Sequence, residues 1–293
     1  MPVIENYVGL ALERVLVATN FAEDSSLALQ YGKALAKRSS SRMVVAHVVD
    51  LSVATRSERA VVGIPVDEMR RTSAENMERT LTELQSSGFR ATGQTIEAHN
   101  TAAAIVGLSE QVKADLIVMG THARHGLNRV ILGSCAEGVI RHATCPVLTV
   151  GPRAKPPADS FSNIVFATDL QHNAAEKAAV ALTIGEDSYA KIHMCYALEK
   201  PGNDISSTLE TRLKCVEALR RLVPQGIYEH CDADCVIEHG DAATHILEAA
   251  VKVSADLIIM GARRSMNWLT VSEGVVGRVL ARAECPVMTV CTR

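Results

Sequence analysis

The chain predicts two consecutive α/β domains, each built on a parallel, doubly wound sheet of five strands. The first observation behind this is a long internal repeat. Ala114-Asp115-Leu116-Ile117-Val118-Met119-Gly120 returns as Ala255-Asp256-Leu257-Ile258-Ile259-Met260-Gly261. Cys145-Pro146-Val147-Leu148-Thr149-Val150 returns as Cys285-Pro286-Val287-Met288-Thr289-Val290, and Val15-Leu16-Val17-Ala18-Thr19-Asn20 answers Ile164-Val165-Phe166-Ala167-Thr168-Asp169. The first two pairs are separated by 141 residues (114 to 255) and 140 residues (145 to 285). Solenoid and propeller periods run to about 20–50 residues, so this unit is a whole domain. The second observation is that short apolar strands alternate with helical segments, the pattern of a parallel sheet covered by helices on both faces.

In the first half, Arg14–Thr19 is an apolar, β-rich run, followed by a helix over 25–39 for which Asp24 or Ser25 is the expected N-cap. Met43–Val49 is the second strand. A loop with Gly63 and Pro65 leads to a helix over 67–85. Thr92–Glu97 alternates as a third strand, and 101–112 reads as a helix with Ala104, Ile105 and Leu108 on one face. Leu116–Gly120 is wholly apolar. A glycine-bearing loop, a helix over 135–142 and the strand Val147–Val150 complete the unit. The second half repeats the scheme, with strands at Ile164–Thr168, Lys191–Ala197, Ala233–Glu238, Leu257–Gly261 and Val287–Val290. A proline-rich linker, Gly151–Ala158, joins domains expected at 1–152 and 153–293. The class is Rossmann-like, with right-handed crossovers.

Composition narrows the function. Hydrophobic residues make up 47% of the 293 residues, charged residues 22%, and the net charge is −3. That balance gives no reason to expect nucleic acid or an anionic membrane as a partner. No apolar run reaches the roughly 18 residues of a membrane span, and residues 1–13 lack a secretory leader, so the chain reads as cytoplasmic. Eight cysteines are present. Cys145 and Cys285 precede matching strands, where a small buried side chain is expected. Cys231 and Cys235 fall on one extended run, which sets them roughly 13 Å apart. That exceeds the about 7 Å reach of a disulfide and the reach of one zinc. Reduced thiols and no metal are expected.

In open parallel sheets, ligands bind beyond the carboxyl ends of the strands, where strand order reverses. The loops after the first and fourth strands are therefore the candidates. After the fourth strand the first half reads Gly120-Thr-His-Ala123-Arg-His-Gly126-Leu-Asn-Arg-Val-Ile-Leu-Gly133-Ser134, and then a helix begins. Glycine and serine at a helix start suit phosphate, because free N–H groups face the anion and no Cβ bars its approach. Turning the chain and capping the helix is the other use of the same two residues. Dinucleotide, P-loop, nucleophile-elbow and zinc-protease signatures are absent. His122, Arg124 and His125 read as a solvated rim, and His230, His239 and His245 as surface or core histidines.

On the fourth-strand loop, the Met-Gly before it and the Cys-Pro-Val strand, both halves resemble the universal stress protein family. In its ATP-binding members the motif is Gly, two residues, Gly, nine residues, Gly, then Ser or Thr. Gly120, Gly133 and Ser134 match, while Ala123 stands at the second glycine. The resemblance places the ribose-contacting acid at Asn20 and the adenine side at Val48. Met119 and His122 line the groove, with Thr19 and Cys135 beside it. In the second half Asp169, Gly261 and Gly274 match, but Arg264 replaces a glycine and Val275 the hydroxyl residue. The resemblance thus implies ATP, with Mg²⁺ accompanying it, in the first domain and a degraded second pocket. Arg264 and Trp268 are expected to close over that pocket, with Arg264 reaching Asp169, or Trp268 instead meets a protein partner. In the family, fifth strands meet between domains, with antiparallel strand exchange there. That implies an intramolecular pseudo-dimer with Val147–Val150 and Val287–Val290 at its seam, and further pairing into a homodimer. Three functions compete: a nucleotide-binding stress regulator with slow or no hydrolysis, an interaction scaffold with degraded pockets, and an enzyme of the wider adenine nucleotide α-hydrolase-like group.

Overall fold

In a computed structural model, residues 11–52, 65–121, 132–171, 173–198, 205–224, 232–262 and 274–291 are described. They form two compact units, one from Ala11 to Pro152 and one from Arg153 to Cys291. The first contains β1 (Arg14–Ala18), α1 (Glu23–Arg38), β2 (Arg42–Asp50), α2 (Val66–Ser86), β3 (Ala91–Ala98), α3 (Thr101–Gln111), β4 (Leu116–Gly120), α4 (Ser134–His142) and β5 (Val147–Val150). The second contains β6 (Asn163–Ala167), α5 (Ala174–Ser188), β7 (Lys191–Leu198), α6 (Ile205–Arg220), β8 (Ala233–His239), α7 (Ala242–Lys252), β9 (Leu257–Gly261), α8 (Val275–Arg282) and β10 (Val287–Val290).

Strand order is β3-β2-β1-β4-β5 in the first unit and β8-β7-β6-β9-β10 in the second, all parallel. The doubly wound reading therefore holds in each half. Order reverses between β1 and β4, and again between β6 and β9, which opens a crevice at their carboxyl ends. The central strands have no polar face because helices cover both sides: Val15, Leu16, Val17, Leu116, Ile117 and Val118 are fully buried. Edge strand β3 alternates instead, and Gly93 lies under Met77 and Leu81 of α2, where a Cβ would come within 2.5 Å of the Met77 sulfur.

The repeated Asp of the Ala-Asp-Leu-Ile segment has a structural purpose. The Asp115 carboxylate accepts the Glu13 and Arg14 N–H groups at 2.9 and 2.8 Å, tying the entry of β1 to that of β4. Asp256 does the same for Ser162 and Asn163, at 2.6 and 3.0 Å.

Two sequence expectations change. The N-cap of α1 is Ala22, and no side chain caps the helix. Ser25 is drawn inward instead: its Oγ lies 2.8 Å from Thr19 Oγ1 and donates to the Ala22 carbonyl. Cys145 is half-buried, unlike buried Cys285, so the matched cysteines do not share one environment. The cysteines among the described residues are free thiols; Cys231 lies outside them. No helix among the described residues is long and apolar enough to cross a membrane.

Candidate functional site

The crevice of the first unit is built from three chain ends. Leaving β1, Thr19 accepts the Phe21 N–H on its Oγ1 at 2.9 Å, and Asn20 Oδ1 accepts the Ala22 N–H at 3.0 Å. These bonds hold Phe21 at φ 58°, a left-handed conformation that non-glycine residues rarely adopt. The second unit repeats the turn: Thr168 Oγ1 accepts from Leu170 (φ 55°), and Asp169 Oδ1 accepts from Gln171 at 3.1 Å. Asn20 and Asp169 therefore both brace this turn, whatever else they contact.

His47, on β2 beside Val48, is a site residue that sequence reading missed. Its Nδ1 lies 2.9 Å from the Thr19 carbonyl and its Nε2 3.1 Å from Ser73 Oγ of α2. Its ring packs on Phe21 with centroids 4.7 Å apart. Burial lowers its pKa, partly opposed by the bond to Thr19. His47 thus locks the loop after β1 in its neutral form. No motif signals this role, because β2 meets the loop after β1 and helix α2 here only once the sheet is assembled.

On the other wall, Met119 is buried and Gly120 ends β4. Thr121 then bonds its N–H to the Val150 carbonyl at 3.1 Å, while its buried hydroxyl has no partner among the described residues. His122 and Ala123 lie outside the described residues, as do Arg264 and Trp268. Helix α4 starts at Ser134 after Gly133, and no side chain caps it. The helices that follow β3 and β8 differ: Asn100 caps α3 by accepting from Ala103, and Asp241 caps α7 by accepting from Thr244. Glycine at this N-cap leaves the first-turn N–H groups of α4 without a side-chain acceptor, as Gly274 does for α8; α1, α2 and α5 also start without a side-chain cap, so this feature alone does not mark an anion site. Cys135, next in α4, is pushed up to about 11 by burial and by the Asp50 carboxylate, so its thiol stays neutral.

The second crevice differs in a way no motif disclosed. Lys177 of α5 is buried and lies against Gly261 at the end of β9. A Cβ on Gly261 would come 2.8 Å from Lys177 Cδ and 3.0 Å from its Nζ. The corresponding residue of α1 is Ala28, fully buried. A lysine side chain thus fills space at the end of β9, and α8 begins with Val275, which has no hydroxyl to offer.

The comparisons agree with this architecture. The profile described as Universal stress protein family matches residues 11–151 and 160–290. A universal stress protein of Methanocaldococcus jannaschii is 30% identical over 146 residues, covering 47% of this chain and 81% of the relative. A second from that organism is 27% identical over 158 residues, covering 49% and 97%. The crystal structure of a universal stress protein from Archaeoglobus fulgidus superposes with a TM-score of 0.72 at 20% identity, covering 97% of this chain and 98% of that one.

Proposed function

Since the chain belongs to the universal stress protein family, with two copies of the family domain in tandem, we propose that it is a stress-response regulator that binds ATP in its first domain. The observation that carries this reading is the start of α4 at Gly133-Ser134 with no capping side chain, on the unit whose Thr121 hydroxyl, at the end of β4, is buried with no partner among the described residues. In this reading the N–H groups of the first turn of α4 and the Ser134 hydroxyl receive the phosphates. Asn20 meets ribose as a neutral amide, without the charge assistance of a carboxylate, so affinity is modest. Val48 and Met119 face adenine, and a Mg²⁺ ion travels with the triphosphate. Neutral Cys135 supplies no nucleophile, and no positioned general base is present among the described site residues, so hydrolysis is slow or nil.

The second domain serves as the structural partner, its crevice narrowed by Lys177. Asp169 is retained there for the turn it braces rather than for ribose. The expected Arg264–Asp169 closure rests on an arginine outside the described residues, and Lys177 of α5 acts at the same end of the sheet. Calorimetric titration of ATP tests the assignment. Wild type and Val275→Ser bind alike, and Gly133→Val abolishes binding because a branched side chain enters the phosphate space. Unchanged binding in Gly133→Val refutes it. Absence of binding in wild type favours the scaffold reading.

A further inference from the structure

At the opposite end of the first sheet, the parallel register lines up three arginines. Arg14 pairs with Arg42 across β1 and β2, and Met43 pairs with Ala91 across β2 and β3, which brings Arg90 beside Arg42. The bond from the Met43 N–H to the Arg90 carbonyl, at 2.9 Å, fixes that neighbour. Adjacent strands are about 4.8 Å apart, so the three arginines leave the backbone side by side. They edge a cavity of about 540 Å³ lined also by Val44, Gln85, Phe89 and Thr92.

Carboxylates stand near the row as well: Asp115 accepts the Arg14 N–H at 2.8 Å. Glu13 approaches Arg14 at 3.8 Å, and Glu83 is engaged by Lys33 at 3.4 Å, which itself lies over the Phe89 ring. Arg14 also donates to the Val112 carbonyl, and Arg90 to that of Ser40. Among the described residues neither Arg42 nor Arg90 pairs with a carboxylate.

The second unit is an internal control. Its register puts Asn163, Lys191 and Asp232 where the arginines stand, and His193 and Asp234 where Val44 and Thr92 stand. There Lys191 lies between Asp232 and Asp234 at 3.3 and 3.4 Å. Buried His193 is 2.8 Å from Asp234 and 3.4 Å from Asn163. Among the described residues, one copy of the fold pairs its charges at this end. The other leaves it open, apolar at its floor and cationic at its rim.

We propose that this cavity is a second ligand site, separate from the ATP crevice, for a small organic phosphate. Its phosphate spans the arginine row and its apolar body lies on Val44 and Phe89. Guanidinium groups bind phosphate oxygens in paired hydrogen bonds, and the cavity has the volume of a small-molecule pocket.

Inorganic pyrophosphate, inorganic phosphate and phenyl phosphate are the probes, titrated by calorimetry and by NMR of the arginine Nε–H resonances. Pyrophosphate shifts the resonances of Arg14, Arg42 and Arg90 equally in wild type and in Gly133→Val, where the crevice site is blocked. Arg42→Gln weakens this binding by roughly tenfold or more, and Arg42→Lys by less, because a lysine keeps the charge but not the paired bonds. Phenyl phosphate binds more tightly than inorganic phosphate, and Phe89→Ala removes that difference. A melting temperature unchanged from wild type shows that each variant is folded. No binding to wild type, undiminished binding in Arg42→Gln, or loss of the shifts in Gly133→Val overturns the site. Equal binding of phenyl and inorganic phosphate overturns the ligand class.

Discussion

Gly138, in the middle of α4, is where the phosphate-facing helix meets α3. A Cβ on Gly138 would stand 2.6 Å from the Ala102 Cβ, on a helical backbone that has no free end to swing away. Carbon atoms settle at about 3.5–4.0 Å, so Gly138→Ala requires the two helices to part by about 1 Å. Overpacking of that size costs about 1–3 kcal/mol. The same substitution improves helix propensity by about 1 kcal/mol, because glycine loses more backbone freedom on folding. The clash is the larger effect, leaving a net loss of about 1 kcal/mol and a fall in melting temperature of about 2–4 °C. Ala102→Gly makes the space that the new methyl needs. The double variant therefore shows a favourable coupling of about 1–3 kcal/mol in a double-mutant cycle. Thermal melts of the four proteins supply the cycle, and ATP titration reports whether α4 has moved, since its first turn is the proposed phosphate seat. A raised melting temperature in Gly138→Ala, or a coupling near zero, refutes the argument that helix contact dictates glycine here.

Further expectations rest on other residues. Lys177→Ala combined with Val275→Ser opens the second crevice and restores a hydroxyl at α8, so calorimetry finds a second, weaker ATP site; a single site in that variant shows that Lys177 is not what closes it. Asp115→Ala and Asp256→Ala each remove two backbone acceptors and lower stability by about 1–3 kcal/mol, read as a shift in urea midpoint; no shift in either means the strand entries need no tie. The His47 pKa is lowered on folding, so the unfolded chain takes the proton first as pH falls below its ordinary value of 6.5. Stability is therefore full above that pH and declines through the folded pKa, and His47→Gln flattens the profile of urea midpoint against pH; an unchanged profile refutes the lock.

Legibility in the sequence followed the range of the interactions. Strands β4, β5, β9 and β10 are legible to the residue, because each is a short, mostly apolar run entered directly after Asp or Pro. The expected β2, Met43–Val49, is one residue short at each end, because the pairings of Arg42 with Arg14 and of Asp50 with Ala98 are invisible in a local window. Asp24-Ser25 resembles a cap in one dimension, yet Ser25 is claimed by Thr19, a partner that the turn alone brings near. The start of α4 at Ser134 after Gly133 was legible because a helix start is a local pattern. Lys177 was not, because an α5 side chain meets β9 only once the sheet is assembled. The arginine row is the extreme case: residues from three separate strand entries become neighbours through register, and no window of sequence contains them together.

The dryness of β1, β4, β6 and β9 bears on how the chain must be handled outside its native state. Each presents four consecutive buried residues with no charge or proline among them. Such windows are the ones that stack between molecules once helices no longer cover them. Charged residues stand at the entries of three of them, with Glu13 before and Arg14 at the start of β1, Asp115 before β4 and Asp256 before β9, while β6 is entered from Ser162 without one. In the folded protein the two aspartates bind backbone; in the unfolded chain the same carboxylates repel a neighbouring copy. Recovery after denaturation should accordingly fall with protein concentration, and fall furthest in acid, where those carboxylates are protonated and the guard on those strands is lost.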